Sequence, residues 1–257
     1  MLFNRRLSLA ALYKRLGRFF QTTRRANRRH CWSGPLECLE SRQLPAVITV
    51  TSAADGILDD NQVTLREALY AAENDISVDG SAMGQGADTI RFSESLKSQT
   101  IQVSYSFYIT TDVTITGLGS NDLTIDGMNA SNLFYVETTA SGVISGLSLT
   151  IGWSMKGGAI NNLGTLTLSD CVIAGNQATQ LGGTGGGIAN LGNLTLVNSV
   201  VSQNFCQAGG GGIDNEGVVV LVARETERCR SGDRESVEVG GVDGVCEVGF
   251  LRHGQKV

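Results

Sequence analysis

The chain reads Gly-Gly-Ala-Ile-Asn-Asn-Leu-Gly-Thr-Leu-Thr-Leu from Gly157 to Leu168. The pattern returns as Gly-Gly-Ile-Ala-Asn-Leu-Gly-Asn-Leu-Thr-Leu from Gly186 to Leu196, and as Gly-Gly-Ile-Asp-Asn-Glu-Gly-Val-Val-Val-Leu from Gly211 to Leu221. Its equivalent isoleucines are separated by 28 and then by 25 residues. A repeat of this length is one supersecondary unit that cannot bury its apolar face alone. The repeat therefore predicts a stack of similar units.

Each unit contains short segments that predict β-strands. Leu166-Thr167-Leu168 alternates apolar and polar residues, which is the period of a strand with one buried face. A second β-rich piece follows at 171–174, is matched at 199–202, and is followed in both units by an asparagine two residues later. Gly and Asn supply the positive φ angles that tight corners need. Because like segments recur at a constant offset without an intervening helix, the chain should coil in one direction as an all-β parallel β-helix.

Stacking the units aligns like residues in columns. Four inward apolar columns are predicted: Ile160, Ile188 and Ile213; Leu166, Leu194 and Val219; Leu168, Leu196 and Leu221; Ile173 and Val201. A further column contains Asn162, Asn190 and Asn215. Stacking of side-chain amides at a corner explains this column without a ligand.

Composition and charge narrow the function classes. The 257 residues include 33 Gly and only 2 Pro, as expected for a β protein rich in turns. Residues 1–45 hold ten Lys or Arg against two Asp or Glu, whereas residues 46–221 hold four against sixteen. Because an acidic body repels phosphates and aromatic residues are scarce, nucleic acid is excluded as an expected partner.

The cysteines and histidines do not form a metal-binding pattern. The six cysteines include no CxxC pair, and none lies at a metal-ligand spacing from His30 or His253. Cys171 occupies the place of Ser199 in the next unit, which predicts a small buried side chain. We therefore assign no metal ligand, no cofactor and no disulfide framework from the sequence.

The first 45 residues form a basic leader, predicted to be a targeting segment that is disordered or cleaved. They contain no apolar run long enough to span a bilayer. The stretch 36–46 resembles the Leu-Glu-x-Leu-Glu-x-Arg-x-Leu-x-Ala motif that follows an Arg-rich leader in many large exported proteins of planctomycete bacteria. It departs from that motif at Cys38 and Pro45. The resemblance implies export to the cell surface, the outer membrane or the extracellular space.

One short helix is predicted at about 64–74, ahead of the repeats. Thr64 with Glu67 three residues later forms a capping box, and Leu65, Ala68, Leu69 and Ala72 share one face. A helix in this place is interpreted as a cap on the first rung. Arg66 and Glu67 are predicted to form capping or ion-pair contacts, with catalysis as the weaker alternative. Val63 to Ala68 resembles the Cys-Ser-Leu-Arg-Glu-Ala box that precedes β-helix repeats in bacterial surface proteins, with Val63 and Thr64 in place of its Cys and Ser.

Early rungs without the Gly-Gly signature precede the repeats. Strands are predicted at the following ranges: 47–51, 88–92, 100–103, 113–117, 123–127, 133–136 and 143–149. Residues 47–221 resemble the same β-helix surface proteins, and the Gly-Gly-Ala-Ile unit is similar to chlamydial polymorphic outer-membrane protein repeats. The resemblance implies a right-handed parallel β-helix with the pectin-lyase-like solenoid fold. The predicted domains are thus the leader, the coil at 46–222 and an irregular tail at 223–257.

The tail breaks the repeat. It is rich in alternating charges, carries no asparagine corner, and follows a third unit that stops halfway through a rung. We interpret it as disordered or as the product of a shifted reading frame.

Two functional classes are compatible with this fold. Polysaccharide lyases and hydrolases need clustered carboxylates with a nearby cation. In the coil the aspartates are instead mostly single and next to corners: Asp112, Asp122, Asp126, Asp170 and Asp214. Over 92–221 the only cationic side chains are Lys97 and Lys156. We therefore assign no catalytic residue and expect a non-enzymatic exported protein with a structural or adhesive role. Its expected partners are cell-surface glycans or other surface proteins. The chain is expected to be a fragment of a larger surface protein. A polysaccharide lyase or glycoside hydrolase is the alternative.

Overall fold

The computed structural model describes residues 45–179 and 182–222, and the backbone of 237–238. Over these residues the chain coils through about five turns, and each turn adds one strand to each of three sheets. Neighbouring strands of the three sheets are parallel, except where the strand Val237–Glu238 pairs antiparallel with Val200–Ser202. The predicted parallel β-helix is thereby confirmed. Apart from Pro45 and this last strand, the predicted leader and tail lie outside the described residues.

The strands are numbered β1 to β20 in chain order. The seven-stranded first sheet contains β1 (Val47–Val50), β2 (Asp88–Phe92), β5 (Val113–Thr116), β8 (Ser141–Ser145), β11 (Thr165–Ser169), β15 (Asn193–Val197) and β19 (Val218–Val222). The six-stranded second sheet contains β3 (Gln99–Gln102), β6 (Leu123–Asp126), β9 (Ser148–Thr150), β12 (Val172–Ala174), β16 (Val200–Ser202) and β20 (Val237–Glu238). The five-stranded third sheet contains β4 (Phe107–Ile109), β7 (Phe134–Val136), β10 (Ile160–Asn162), β14 (Ile188–Asn190) and β18 (Ile213–Asn215). A two-stranded sheet pairs β13 (Gln177–Ala178) with β17 (Phe205–Cys206).

The predicted helix is present as α1, Leu65–Asn74. The capping box is formed: the backbone N–H of Glu67 donates to Thr64 Oγ1 over 3.2 Å, and that of Thr64 donates to Glu67 Oε2 over 2.8 Å. Its predicted apolar face is buried and packs against β1, β2 and β4. The helix ends at Asp75, which adopts φ 52° as its C-cap. Its role as a cap on the stack stays a prediction.

The core is a set of apolar columns that run along the coil. All four predicted columns are in register between neighbouring strands. One column extends through all seven strands of the first sheet, and all its members are buried: Ile48, Ile90, Ile115, Ile144, Leu168, Leu196 and Leu221. Burying one such side chain stabilises the fold by about 1.5–3 kcal/mol, so these columns supply much of the stability.

Left-handed corners separate the sheets. Asp170 (φ 53°) and Asn198 (φ 46°) turn the chain after β11 and β15, and Gly146 (φ 61°) does so after β8. Gly146 therefore divides the predicted strand at 143–149 into β8 and β9. The corner after β9 is Ile151 at φ 54°, where the next rung has Gly175 at φ 70°. A β-branched residue in this region is strained, at a cost of about 1–2 kcal/mol.

Candidate functional site

The asparagine column is a ladder of amides that is buried at Asn162 and Asn190 and half-buried at Asn215. Asn162 Nδ2 donates to Asn190 Oδ1, and Asn190 Nδ2 donates to Asn215 Oδ1, each over 2.6 Å. The same amide groups also donate to main-chain carbonyl oxygens at the corner. Asn162 Oδ1, at the start of the ladder, has no hydrogen-bond partner among the described residues. In the preceding rung this column holds Val136, which cannot donate. The ladder supports the predicted structural role of these asparagines.

Arg66 and Glu67 make the structural contacts that the sequence predicts. Glu67 is fully buried, and its Oε1 accepts a hydrogen bond from the Leu58 N–H over 2.7 Å. Arg66 forms an ion pair with Asp55 in which Nε and Oδ1 are 2.7 Å apart. The Arg66 guanidinium also lies 4.7 Å from the centre of the Phe107 ring. These contacts fasten helix α1 and the loop after β1 to the first rung.

The aspartates next to corners have separate local partners. Two of them accept backbone hydrogen bonds: Asp112 Oδ1 from the Ser141 N–H at 3.0 Å and Asp126 Oδ1 from the Met128 N–H at 2.7 Å. Asp122 Oδ2 forms an ion pair with Lys97 Nζ at 3.5 Å, and Asp170 Oδ1 accepts a hydrogen bond from Asn198 Nδ2 at 3.4 Å. The fifth, Asp214, lies in β18. Each contact is ordinary corner or surface chemistry.

An acidic depression lies beside the C-terminal end of α1. Its volume is about 380 Å³, and its lining residues are Ala72, Glu73, Asp75, Gly86, Ala87, Thr111 and Asp112. Two of its carboxylates accept main-chain hydrogen bonds: Asp75 Oδ1 from the Gly86 N–H over 3.3 Å and Asp112 Oδ1 from Ser141. Asp112 is one of the corner aspartates identified from the sequence, but its proximity to Glu73 and Asp75 was not predicted. Separation along the chain hides this juxtaposition.

Three tyrosines at the early rungs are exposed or half-exposed: Tyr105, Tyr108 and Tyr135. The side chains of Tyr105 and Tyr108 are 75% and 56% exposed. Tyr108 in β4 is in register with Tyr135 in β7, and the two ring centres are 5.4 Å apart with the planes inclined at 41°. Partial burial, and then Glu137 and Tyr108, raise the pKa of the Tyr135 hydroxyl. That hydroxyl is therefore neutral, and can donate a hydrogen bond, at pH 7.

The pairing of Tyr108 with Tyr135 was not predicted, although the sequence carries a signal for it. Phe107-Tyr108-Ile109 and Phe134-Tyr135-Val136 are variants of one triplet, separated by the length of one coil. In each triplet the phenylalanine and the aliphatic residue point inward and are buried, so the tyrosine between them points outward. Strand β4 was not predicted, and without it the two tyrosines could not be placed side by side.

Cys171 is a buried core side chain, as predicted from Ser199 in the next rung. Its Sγ lies 3.3 Å from the Ser169 carbonyl oxygen, to which the thiol can donate. Burial raises the pKa of the Cys171 thiol to about 11. The thiol is therefore neutral at pH 7 and a poor nucleophile.

Over 45–179, 182–222 and 237–238, no cluster of three or more His, Cys, Asp or Glu side chains is arranged to hold a metal ion. In the same part of the chain, no helix has the length and apolar character needed to cross a bilayer. No protein-family model, curated protein or solved structure gives a significant match to this chain. We therefore infer its function from its own residues.

Proposed function

We propose that this chain is a non-enzymatic β-helix protein that is exported to the cell surface or the extracellular space, where it has a structural or adhesive role. The motif resemblances at 36–46 and 63–68 support export and membership in a larger surface protein. The coil supports the structural part of the role, because stacked rungs make an extended scaffold whose outer residues can vary without disturbing its core.

The observation that carries the adhesive part is the exposed tyrosine group. Large aromatic side chains usually bury most of their surface, and exposed ones concentrate at recognition surfaces. Tyr105 and Tyr108 expose more than half of their side chains on a backbone that α1 holds in place. A rigid surface of this kind loses little conformational entropy on binding.

Surface localisation is tested first in the bacterium that encodes the chain. An antibody raised against the purified coil should label intact cells, and external protease should remove the signal while a cytoplasmic marker protein survives. A deletion strain should attach less well to surfaces, and the purified protein should compete with attachment of the parent strain. Recovery of the protein only from the cytoplasmic fraction would contradict the proposal.

A polysaccharide lyase or hydrolase is the second candidate, and the acidic depression favours it. The depression combines Glu73, Asp75 and Asp112, which come from a helix, a loop and a corner. Paired carboxylates of this kind can serve as acid and base on a glycosidic bond. The test is release of new reducing or unsaturated sugar ends from acidic and neutral glycans. Activity that is lost in both Glu73→Gln and Asp112→Asn would replace the non-enzymatic proposal with this one.

A further inference from the structure

We propose that Tyr105, Tyr108 and Tyr135 form a binding surface for a neutral polysaccharide. This inference deepens the proposed adhesive function by naming the chemical class of its ligand, and it rests on that function. We call these three side chains the tyrosine surface. Tyr108 and Tyr135 face outward from β4 and β7 of the third sheet, and Tyr105 is exposed in the segment that leads into β4.

The backbone beneath the tyrosine surface is anchored to α1. Arg66 donates hydrogen bonds to the carbonyl oxygens of Tyr105, over 2.6 Å, and of Ser106, over 3.3 Å. Asp55 Oδ2 accepts from the Ser104 N–H over 2.9 Å while its other oxygen pairs with Arg66. Three contacts, one at each of three consecutive residues, therefore fix the segment that carries Tyr105 and leads into β4. The rings protrude from a fixed base, so a ligand does not have to order them.

The outer faces of these rings match the chemistry of a sugar. A pyranose ring presents an apolar face of C–H groups bordered by hydroxyl groups. A tyrosine presents an apolar ring with one hydroxyl that donates and accepts hydrogen bonds. Among the described residues, none forms a hydrogen bond with the hydroxyl of any of these three tyrosines. Each ring can therefore offer both a stacking face and a free polar group.

Two features favour an extended chain over a small ligand. Tyr108 and Tyr135 lie in adjacent, paired strands, so their rings lie one rung apart along the coil, with their centres 5.4 Å apart. Because the ring planes are inclined at 41°, the two rings present differently oriented faces to a ligand. A polymer can contact successive rings and gain affinity from several weak contacts, whereas a single sugar would meet only one or two of them.

Charge indicates that the polymer is neutral. Residues 46–221 carry sixteen carboxylates and four cations, and Glu137 is close enough to Tyr135 to affect its pKa. An acidic polysaccharide would be repelled by this field. The nearby cation, Arg66, is already paired with Asp55 and occupied by carbonyl oxygens. A neutral glycan avoids the repulsion and needs no free cation.

The test uses the purified full chain with insoluble probes: cellulose, β-1,3-glucan and starch as the neutral ones, cross-linked polygalacturonate as the acidic one and cross-linked chitosan as the cationic one. Wild-type protein should sediment with at least one neutral polysaccharide and stay in solution with polygalacturonate. Tyr108→Ala and Tyr135→Ala should each weaken binding about tenfold, the effect of losing one aromatic contact of about 1.4 kcal/mol. Tyr70→Ala is the matched control, because Tyr70 is 44% exposed on α1 but lies outside the tyrosine surface. It should bind as wild type does.

A second measurement on wild-type protein does not depend on how the variants fold. Nitration of tyrosines, read by mass spectrometry, should modify Tyr105 and Tyr108 in the free protein and spare them when the neutral glycan is bound. Tyr70 should be nitrated equally in both samples. Absence of binding to every neutral probe, preference for polygalacturonate or chitosan, or unchanged binding by the tyrosine variants would each overturn the inference. Because this assay uses purified protein, it is read independently of the surface localisation of the chain.

Discussion

Replacing Asn190 by alanine should be among the most damaging single changes in the coil, because this residue is the middle of the buried amide ladder. Its Nδ2 donates to Asn215 Oδ1, and its Oδ1 accepts from Asn162 Nδ2, both over 2.6 Å. The substitution removes both contacts at once. It leaves the amide nitrogen of one neighbour and the amide oxygen of the other without their ladder partner.

The magnitude follows from the number of groups left unpaired. Each buried polar group without a partner costs about 1–3 kcal/mol. Asn162 Nδ2 retains a second acceptor, the Asn193 carbonyl oxygen at 3.1 Å, and Asn215 Oδ1 retains a second donor, the Gly217 N–H at 3.3 Å, so both losses are at the low end of that range. The total expected loss in the free energy of unfolding is about 2 kcal/mol. This is a large fraction of the ordinary stability of a domain, about 5–15 kcal/mol.

Urea unfolding followed by far-ultraviolet circular dichroism measures this loss, with the midpoint and the slope compared between variant and wild type. Asn193→Ala is the matched control, since the Asn193 residue is exposed and contributes only its backbone carbonyl to the ladder. It should change stability by less than about 0.5 kcal/mol. Equal stability of the Asn190→Ala and Asn193→Ala proteins would refute the reasoning that the amide ladder is a stabilising element.

Three further predictions concern the corners, the core and the helix. Ile151→Asn should raise the free energy of unfolding by about 1 kcal/mol in the same urea assay, because asparagine tolerates the left-handed region better than a β-branched residue. A loss of stability would show that the Ile151 side chain contributes more by packing than it costs in strain. Burial raises the pKa of the Cys171 thiol to about 11 in the folded state, against 9.0 for an ordinary thiol. As pH rises, the thiol of the unfolded state therefore loses its proton first, and the free energy of unfolding should fall between pH 9 and pH 11. Cys171→Ser should reduce this fall, and equal pH profiles would contradict the assignment. Glu67→Ala should lower the free energy of unfolding by about 2 kcal/mol, since two backbone N–H groups lose their carboxylate partner. Glu73→Ala, at an exposed position of the same helix, should change it little. Thermal unfolding of the two variants side by side distinguishes these outcomes.

The repeating part of the fold could be predicted because local and long-range information coincide there. The spacing of Ile160, Ile188 and Ile213 gives both the strand pattern and the partner of each strand, since stacking a repeat places like residues side by side. Helix α1 was predictable for a different reason. Its capping box and apolar face are local features within ten residues, and they do not depend on the rest of the chain.

The earlier rungs were predicted less completely because their lengths and residues vary. Strand β4 of these rungs is only three residues long, and within the repeats β13 and β17 have two residues each, which is too short to show a period of two. Gly146 breaks an apolar alternation that otherwise looks continuous from 143 to 149, and only its φ of 61° shows that a corner lies there.

The sequence by itself determined the architecture of this protein: a parallel coil, the register of its repeated columns, the buried asparagines and the capped helix. These features depend on residue types at fixed spacings, and such spacings are visible in one dimension. The tertiary structure alone decided which outward residues meet. It placed Tyr108 beside Tyr135, brought Arg66 beneath Tyr105, and gathered Glu73, Asp75 and Asp112 around one depression. Outward side chains are not constrained by packing, so their neighbours follow only from how the corners and loops set each rung on the next.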